Sequence, residues 1–139
     1  MFSTKRRQPF LLDRAIRSEM QGVLEVLCNS LGCPLVLVGG VEDPVHIACH
    51  LGRTRTVADL IKELKRESSQ WANQKSSSLH DFEWQSGYGA FSISPSHVET
   101  LVQCIRNQEE HHRQGSFQDE LRRILAKHNL EWDERYLWD

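Results

Sequence analysis

The chain has 139 residues, enough for one domain with a sizeable core and no need of disulfide or metal staples. Its 39% hydrophobic and 26% charged residues are ordinary for a globular protein. A net charge of −2 and a pI near 6.4 exclude a globally basic nucleic-acid binder, so any such contact must come from local patches.

From the N-terminus, Lys5, Arg6 and Arg7 form the first basic cluster. Leu12, Ala15, Ile16, Met20, Val23, Leu24, Leu27 and Leu31 then recur at three- and four-residue steps, which predicts an amphipathic helix closed by Gly32. Residues 35–38 read as a short apolar strand, and residues 39–43 turn the chain into a second strand over 45–51. Side chains alternate along that strand, so Val45, Ile47, Cys49 and Leu51 are expected on the core face, with His46, Ala48 and His50 on the other. Arg53 and Arg55 follow. Thr56 then caps a helix with the stripe Val57, Leu60, Ile61, Leu64 and Trp71, and Asp59 is placed to complete a capping box.

A Lys/Ser-rich loop covers 74–79, and 82–93 reads as a long strand interrupted at Ser86 and Gly87. Aromatics on this strand could stack bases, or half of them could face the core; the pattern favours neither. Ser96 and Glu99 match a second capping box, ahead of a helix over 95–113 with Val98, Leu101, Val102 and Ile105 on one stripe. A further helix and an aromatic-rich tail are expected over 117–139. The order becomes βαββαβ, the ferredoxin-like α+β sandwich, if a strand precedes the first helix, and only residues 1–10 are left to represent it. Either the chain starts late or the sheet lacks a strand.

The four cysteines show neither a C-x-x-C pair nor zinc-ribbon spacing, no signal-peptide h-region follows the basic start, and no apolar run approaches the ~20 residues that span a bilayer. A reduced, cytoplasmic protein is the expectation. His46 and His50 share a strand face but lie roughly 13 Å apart, too far to hold one ion. Cys104 and Gln108, four apart on a helix, are neighbours on one face. Taken singly, each has an ordinary reading: a half-exposed strand histidine, a packed thiol, a solvated amide. The adjacent Glu109, Glu110, His111 and His112 read as a polar helix end, because neighbours on a helix diverge by about 100° and chelate poorly.

Particular stretches change that weighting. Residues 2–5 with 9–11, Gly39-Gly40-Val41-Glu42-Asp43 leading into Val45-His46, residues 81–92, Asn107 to His112, and Asp133-Glu134-Arg135-Tyr136 together resemble the small single-tyrosine HUH transposases of bacterial insertion sequences, over nearly the whole chain. In that family the strand reads His-apolar-His, where this chain has Pro44-Val45-His46. The helix carries a nucleophilic Tyr where this chain has Cys104, with a metal-binding Gln at the position of Gln108. The resemblance implies a ferredoxin-like homodimer that cuts and rejoins single-stranded or hairpin DNA through a phosphotyrosine, with Mg²⁺ or Mn²⁺ on two imidazoles and a side-chain carbonyl. The strand histidines and the nucleophile helix could come from one subunit or from two.

Pro44 cannot ligate through its side chain, so His46 and Gln108 alone imply weak metal binding. A thiolate at Cys104 is a soft nucleophile for a hard phosphorus centre, and Tyr88 and Tyr136 match ordinary packed tyrosines. The expectation is therefore a transposase-family DNA-binding protein with impaired catalysis, Lys5, Arg6, Arg7, Arg53 and Arg55 being its candidate DNA contacts. The alternatives are a non-catalytic DNA-binding or dimerisation module derived from a transposase, or a decayed remnant.

Overall fold

A computed structural model describes residues 1–40, 45–106, 123 and 126, with the backbone alone at 104 and 105. Pro44, Gln108, His111, His112, Tyr136 and nearly all of 117–139 lie outside the described residues. The elements are helix α1 (Arg14–Ser30), strands β1 (Leu35–Gly39) and β2 (His46–Cys49), helix α2 (Val57–Lys75) and helix α3 (Val98–Arg106).

Helix α1 begins where Asp13 accepts hydrogen bonds from the backbone of Ala15 (2.8 Å) and Ile16 (3.3 Å), satisfying donors that the first turn leaves open. It ends at Gly32, whose φ of 72° suits the residue just past a helix. Met20, Leu24 and Cys28 form its buried edge, at the predicted spacing, whereas Leu12 stays outside the helix and half-exposed. Thr56 caps helix α2 as predicted, accepting from the Asp59 amide at 3.1 Å, but the reciprocal half of the expected capping box is replaced by an ion pair. The Asp59 carboxylate pairs with Arg55 at 2.7 Å. Leu60, Ile61, Leu64, Ser68 and Ala72 are its buried side.

β1 and β2 form an antiparallel pair, with Gly39 opposite His46, Val38 opposite Ile47, and a bulge between Leu35 and Leu37. Val45 is buried and Ile47 and Cys49 pack against the core, as their alternation predicts. Leu51 corrects that pattern: the strand ends at Cys49, and Leu51 lies beyond it, exposed.

Residues 1–5 occupy the far side of β2. Phe2 and Val45 exchange both backbone hydrogen bonds (3.2 and 2.9 Å). On its other side the same segment receives the Gln85 amide on the Ser3 carbonyl (2.9 Å) and donates from Lys5 to Glu83 (2.8 Å). Met1 and Gly89 also exchange bonds. Phe2, Ser3 and Thr4 are buried, as residues between two neighbours should be.

The long strand predicted over 82–93 is reduced to a bridge between Thr4 and Trp84. The Ser86-Gly87 interruption explains this, because the Gln85 and Gly87 carbonyls turn toward the Lys65 ammonium at 2.7 Å each. Ser96 likewise lies inside a short turn, Pro95–His97, ahead of α3, in place of the predicted cap.

The core is centred on three rings. Trp84 meets Phe2 and Phe82 edge-on, both at 4.8 Å between centroids, a geometry that aligns ring edge with ring face. The indole N–H, which burial would otherwise leave unsatisfied, donates to the Ser68 hydroxyl at 2.8 Å. That hydroxyl donates in turn to the Leu64 carbonyl at 2.5 Å. Among the described residues no helix is long and apolar enough to cross a membrane.

Candidate functional site

His46 opens β2. It retains some accessible surface but is closely surrounded by protein, and this burial pushes its imidazole down to about 3, with the Met1 amino group adding to the shift. The ring is therefore neutral at physiological pH, the form in which an imidazole can ligate a metal. His50 is exposed beyond the strand end, consistent with its separation from His46.

Cys104 lies in the last turn of α3, and α3 packs against β1, the strand whose Gly39 faces His46. The helix that the sequence singles out thus packs on the strand next to the one that bears His46. Pro44 and Gln108 lie outside the described residues. Among the described residues, no three His, Cys, Asp or Glu side chains converge as a metal-binding group. Among the described residues His46 is the one member of the expected ligand set, and one neutral imidazole alone does not hold a divalent ion.

The basic residues divide into two groups. Lys5, Arg6 and Arg7 form a tight exposed turn, with Arg6 and Arg7 both at φ 53°. A left-handed conformation costs an L residue with a β-carbon roughly 1–2 kcal/mol, so two in succession are strained. This turn borders an open cleft of about 370 Å³ whose lining includes Lys5, Arg6, Gln8, Phe10 and Ser78. Lys5 is paired across it with Glu83. Arg53 is exposed.

Arg55 differs from these. Its Nε donates to the Leu31 carbonyl at 2.8 Å and its Nη1 to Asp59 at 2.7 Å, joining the end of α1 to the start of α2. Two basic residues of α2, Arg66 and Lys65, are also engaged within the chain. Arg66 pairs with Glu63 and Glu67, and Lys65 holds the 85–87 backbone while lying over the rings of Phe2 (5.3 Å) and Tyr88 (5.9 Å). Burial lowers the Lys65 ammonium below the usual lysine range. The sequence reading missed this clamp. Its signal was available, since Lys65 lies four residues after Ile61, on the edge of the apolar stripe.

The aromatics of 82–92 also separate. Trp84 and Phe82 are core residues, whereas Tyr88 is 43% exposed, which corrects the expectation that it packs inside.

No curated protein matches the chain. Among solved structures, a crystal structure of a candidate transposase from Deinococcus radiodurans R1 is similar, with a TM-score of 0.58 and 22% identity over 77% of this chain and 85% of that one. At that identity the likeness speaks for the fold, a mixed arrangement of helices around a small antiparallel sheet. The family model described as "Transposase IS200 like" matches residues 1–108, a span that takes in the buried N-terminal segment, both strands, and the whole of α3. With more than half its length inside that model, the chain belongs to the IS200-like transposase family.

Proposed function

We propose that this chain binds single-stranded or hairpin DNA as a transposase-family protein whose strand-cleaving chemistry is impaired. The observation that carries this reading is the meeting of α3 with the β1–β2 pair in one chain. The element bearing the nucleophile position packs on β1, the neighbour of the strand bearing His46, yet that position holds Cys104. A thiolate there is a softer nucleophile than an aryl oxide and is less suited to attack at a hard phosphorus centre.

In this proposal residues 1–5 and the backbone around 83–89 complete a ferredoxin-like sheet together with β1 and β2. The hydrogen bonds of residues 1–5 to both neighbours support that reading. Residues 1–139 act as one domain, with 95–113 as the nucleophile-position helix. His46 and Gln108 are the residues that would hold Mg²⁺ or Mn²⁺, weakly, with Pro44 in place of the third donor. Such an ion, when bound, supplies Lewis-acid polarisation of a phosphodiester. Lys5, Arg6, Arg7 and Arg53 are the DNA contacts, and Arg55 supports the fold. The strained Arg6-Arg7 turn favours this assignment, since backbone strain persists where function requires it. The working unit is a homodimer, as the family resemblance implies.

The test is incubation of the full chain with end-labelled hairpin DNA and Mn²⁺, read by native and denaturing gels. Salt-sensitive binding without a covalent adduct is expected. An adduct stable to denaturation overturns the impairment, and absence of binding at low salt overturns the DNA-binding reading.

A further inference from the structure

The open cleft of about 370 Å³ beside the N-terminal turn has the size of a site for one small ligand. Lys5, Arg6 and Phe10 line it from the first segment of the chain, and Asp81 and Glu83 from the segment after α2. The turn that carries the cations is held by its own backbone. Arg7 donates to the Thr4 carbonyl at 3.0 Å and Gln8 to the Lys5 carbonyl at 3.2 Å. Phe10 packs on the buried Phe82 at 5.3 Å between centroids, so the core backs its ring. Lys5 and Glu83 are joined by a backbone hydrogen bond and by an ion pair. Asp81 is exposed, with His80 Nδ1 3.1 Å from one of its oxygens. We propose that this cleft takes one unpaired guanine nucleotide, its base on Phe10, its N1–H and N2–H donated to the Asp81 carboxylate, and its phosphate on Arg6. The inference rests on the DNA-binding reading above and names the base that such DNA presents here.

The cleft combines cations, carboxylates and an aromatic ring, and one nucleotide answers all three. A bare phosphate or an acidic peptide is drawn to Arg6 but repelled by the carboxylates of Asp81 and Glu83. A base instead brings a neutral plane for Phe10 and hydrogen-bond donors for a carboxylate. Guanine is the base with two donors side by side on one edge, matched to the two oxygens of one carboxylate. Adenine and cytosine set their amine beside an acceptor nitrogen, which a carboxylate repels, and thymine sets one N–H between two carbonyls. A carboxylate has about four acceptor positions, so Asp81 takes both donors while keeping His80. In a duplex the same edge is occupied by cytosine, so the cleft selects an unpaired guanine. Its place in the fold suits that role. Phe2 is paired with Val45, which sets Met1 opposite His46, and Lys5 lies four residues on, roughly 13 Å along the sheet. One short single strand can therefore reach both the cleft and the candidate site.

The experiment measures binding of the full chain, by fluorescence anisotropy at low salt, to short labelled oligothymidylates carrying one central dG, deoxyinosine, dA or dT. The dG strand should bind roughly ten-fold tighter than the dA and dT strands, with deoxyinosine, which lacks the 2-amino group, between them. Asp81→Asn should bring the dG strand down to the level of the others, while the dT strand binds as well as before or better, because a negative charge is lost. Phe10→Leu keeps apolar packing on Phe82 but removes the flat ring, and should weaken the dG strand several-fold. Circular dichroism of both variants checks that the fold is kept, as the 93% exposure of the Asp81 side chain leads one to expect. Equal binding of the dG and dA strands by the parent chain overturns this inference and leaves the DNA-binding reading standing. So does a dG preference that survives in Asp81→Asn, or an Asp81→Asn chain that tightens every strand alike, which is a charge effect only. An unchanged affinity in a folded Phe10→Leu chain overturns the seat on Phe10. If neither these strands nor hairpin DNA bind at low salt, the DNA-binding reading itself falls, and this inference with it.

Discussion

The packed interior and α3 are built on different terms. Around Trp84, every group is fixed by several others: ring edges from Phe2 and Phe82, a hydroxyl from Ser68, and the backbone of residues 1–5 on both sides. Helix α3 has the sharper amphipathic pattern, but Leu101 and Val102 on it are only half-buried. Stability is concentrated in the first region, and the residue expected to do chemistry belongs to the second. If the proposed reading holds, the chemistry sits apart from the densest packing of the chain.

The largest test of this contrast is a gain of function. Pro44→His combined with Cys104→Tyr should convert a chain that forms no covalent adduct with hairpin DNA into one that does in the presence of Mn²⁺. The double variant's urea midpoint should stay close to that of the parent. A loss of several kcal/mol would show that the site and the core are not separable.

The converse change is Leu64→Ala, in a fully buried position of α2. It should lower unfolding free energy by about 2–5 kcal/mol in urea titration, through lost apolar transfer and a residual cavity. Ser68→Ala is a finer probe of the same interior. It strands the Trp84 indole N–H in an apolar surrounding, and about 1–3 kcal/mol should be lost, with a shift in tryptophan emission. If Ser68→Ala proves neutral, the hydroxyl–indole bond is not what orients Trp84.

At the surface the effects shrink. Asp13→Ala removes the cap of α1 and should cost about 1 kcal/mol. Arg6→Ala should leave stability nearly unchanged, weaken hairpin binding, and reduce the slope of log affinity against log salt by about one. Arg55→Ala should do the opposite, lowering stability while keeping the salt slope, because its guanidinium joins two helices. An equal loss of salt slope in both variants would erase the distinction between these arginines.

Much of this division was legible in the amino-acid order. The central stripes of α1 and α2, the Thr56 cap, the closing Gly32 and the inward alternation of Val45, Ile47 and Cys49 follow from local periodicity and are present in the fold, whereas Leu12, Ala15 and Val57 at the starts of the stripes are exposed. The family resemblance points to His46, Cys104 and Gln108; α3 packs on β1, the partner of the strand bearing His46, and Gln108 lies beyond the described residues. The long strand over 82–93 failed because alternation cannot register a lysine from another helix that captures two of the strand's carbonyls.

By itself, then, the sequence determined the helices and the strand pair, since those depend on residues close together in the chain. Tertiary structure decided which side chains were already engaged. It placed residues 1–5 between Val45 and Glu83 and gave Arg55 and Lys65 to the backbone. Those outcomes depend on partners distant in sequence, and a pattern read along one segment carries no information about which distant donor will reach it.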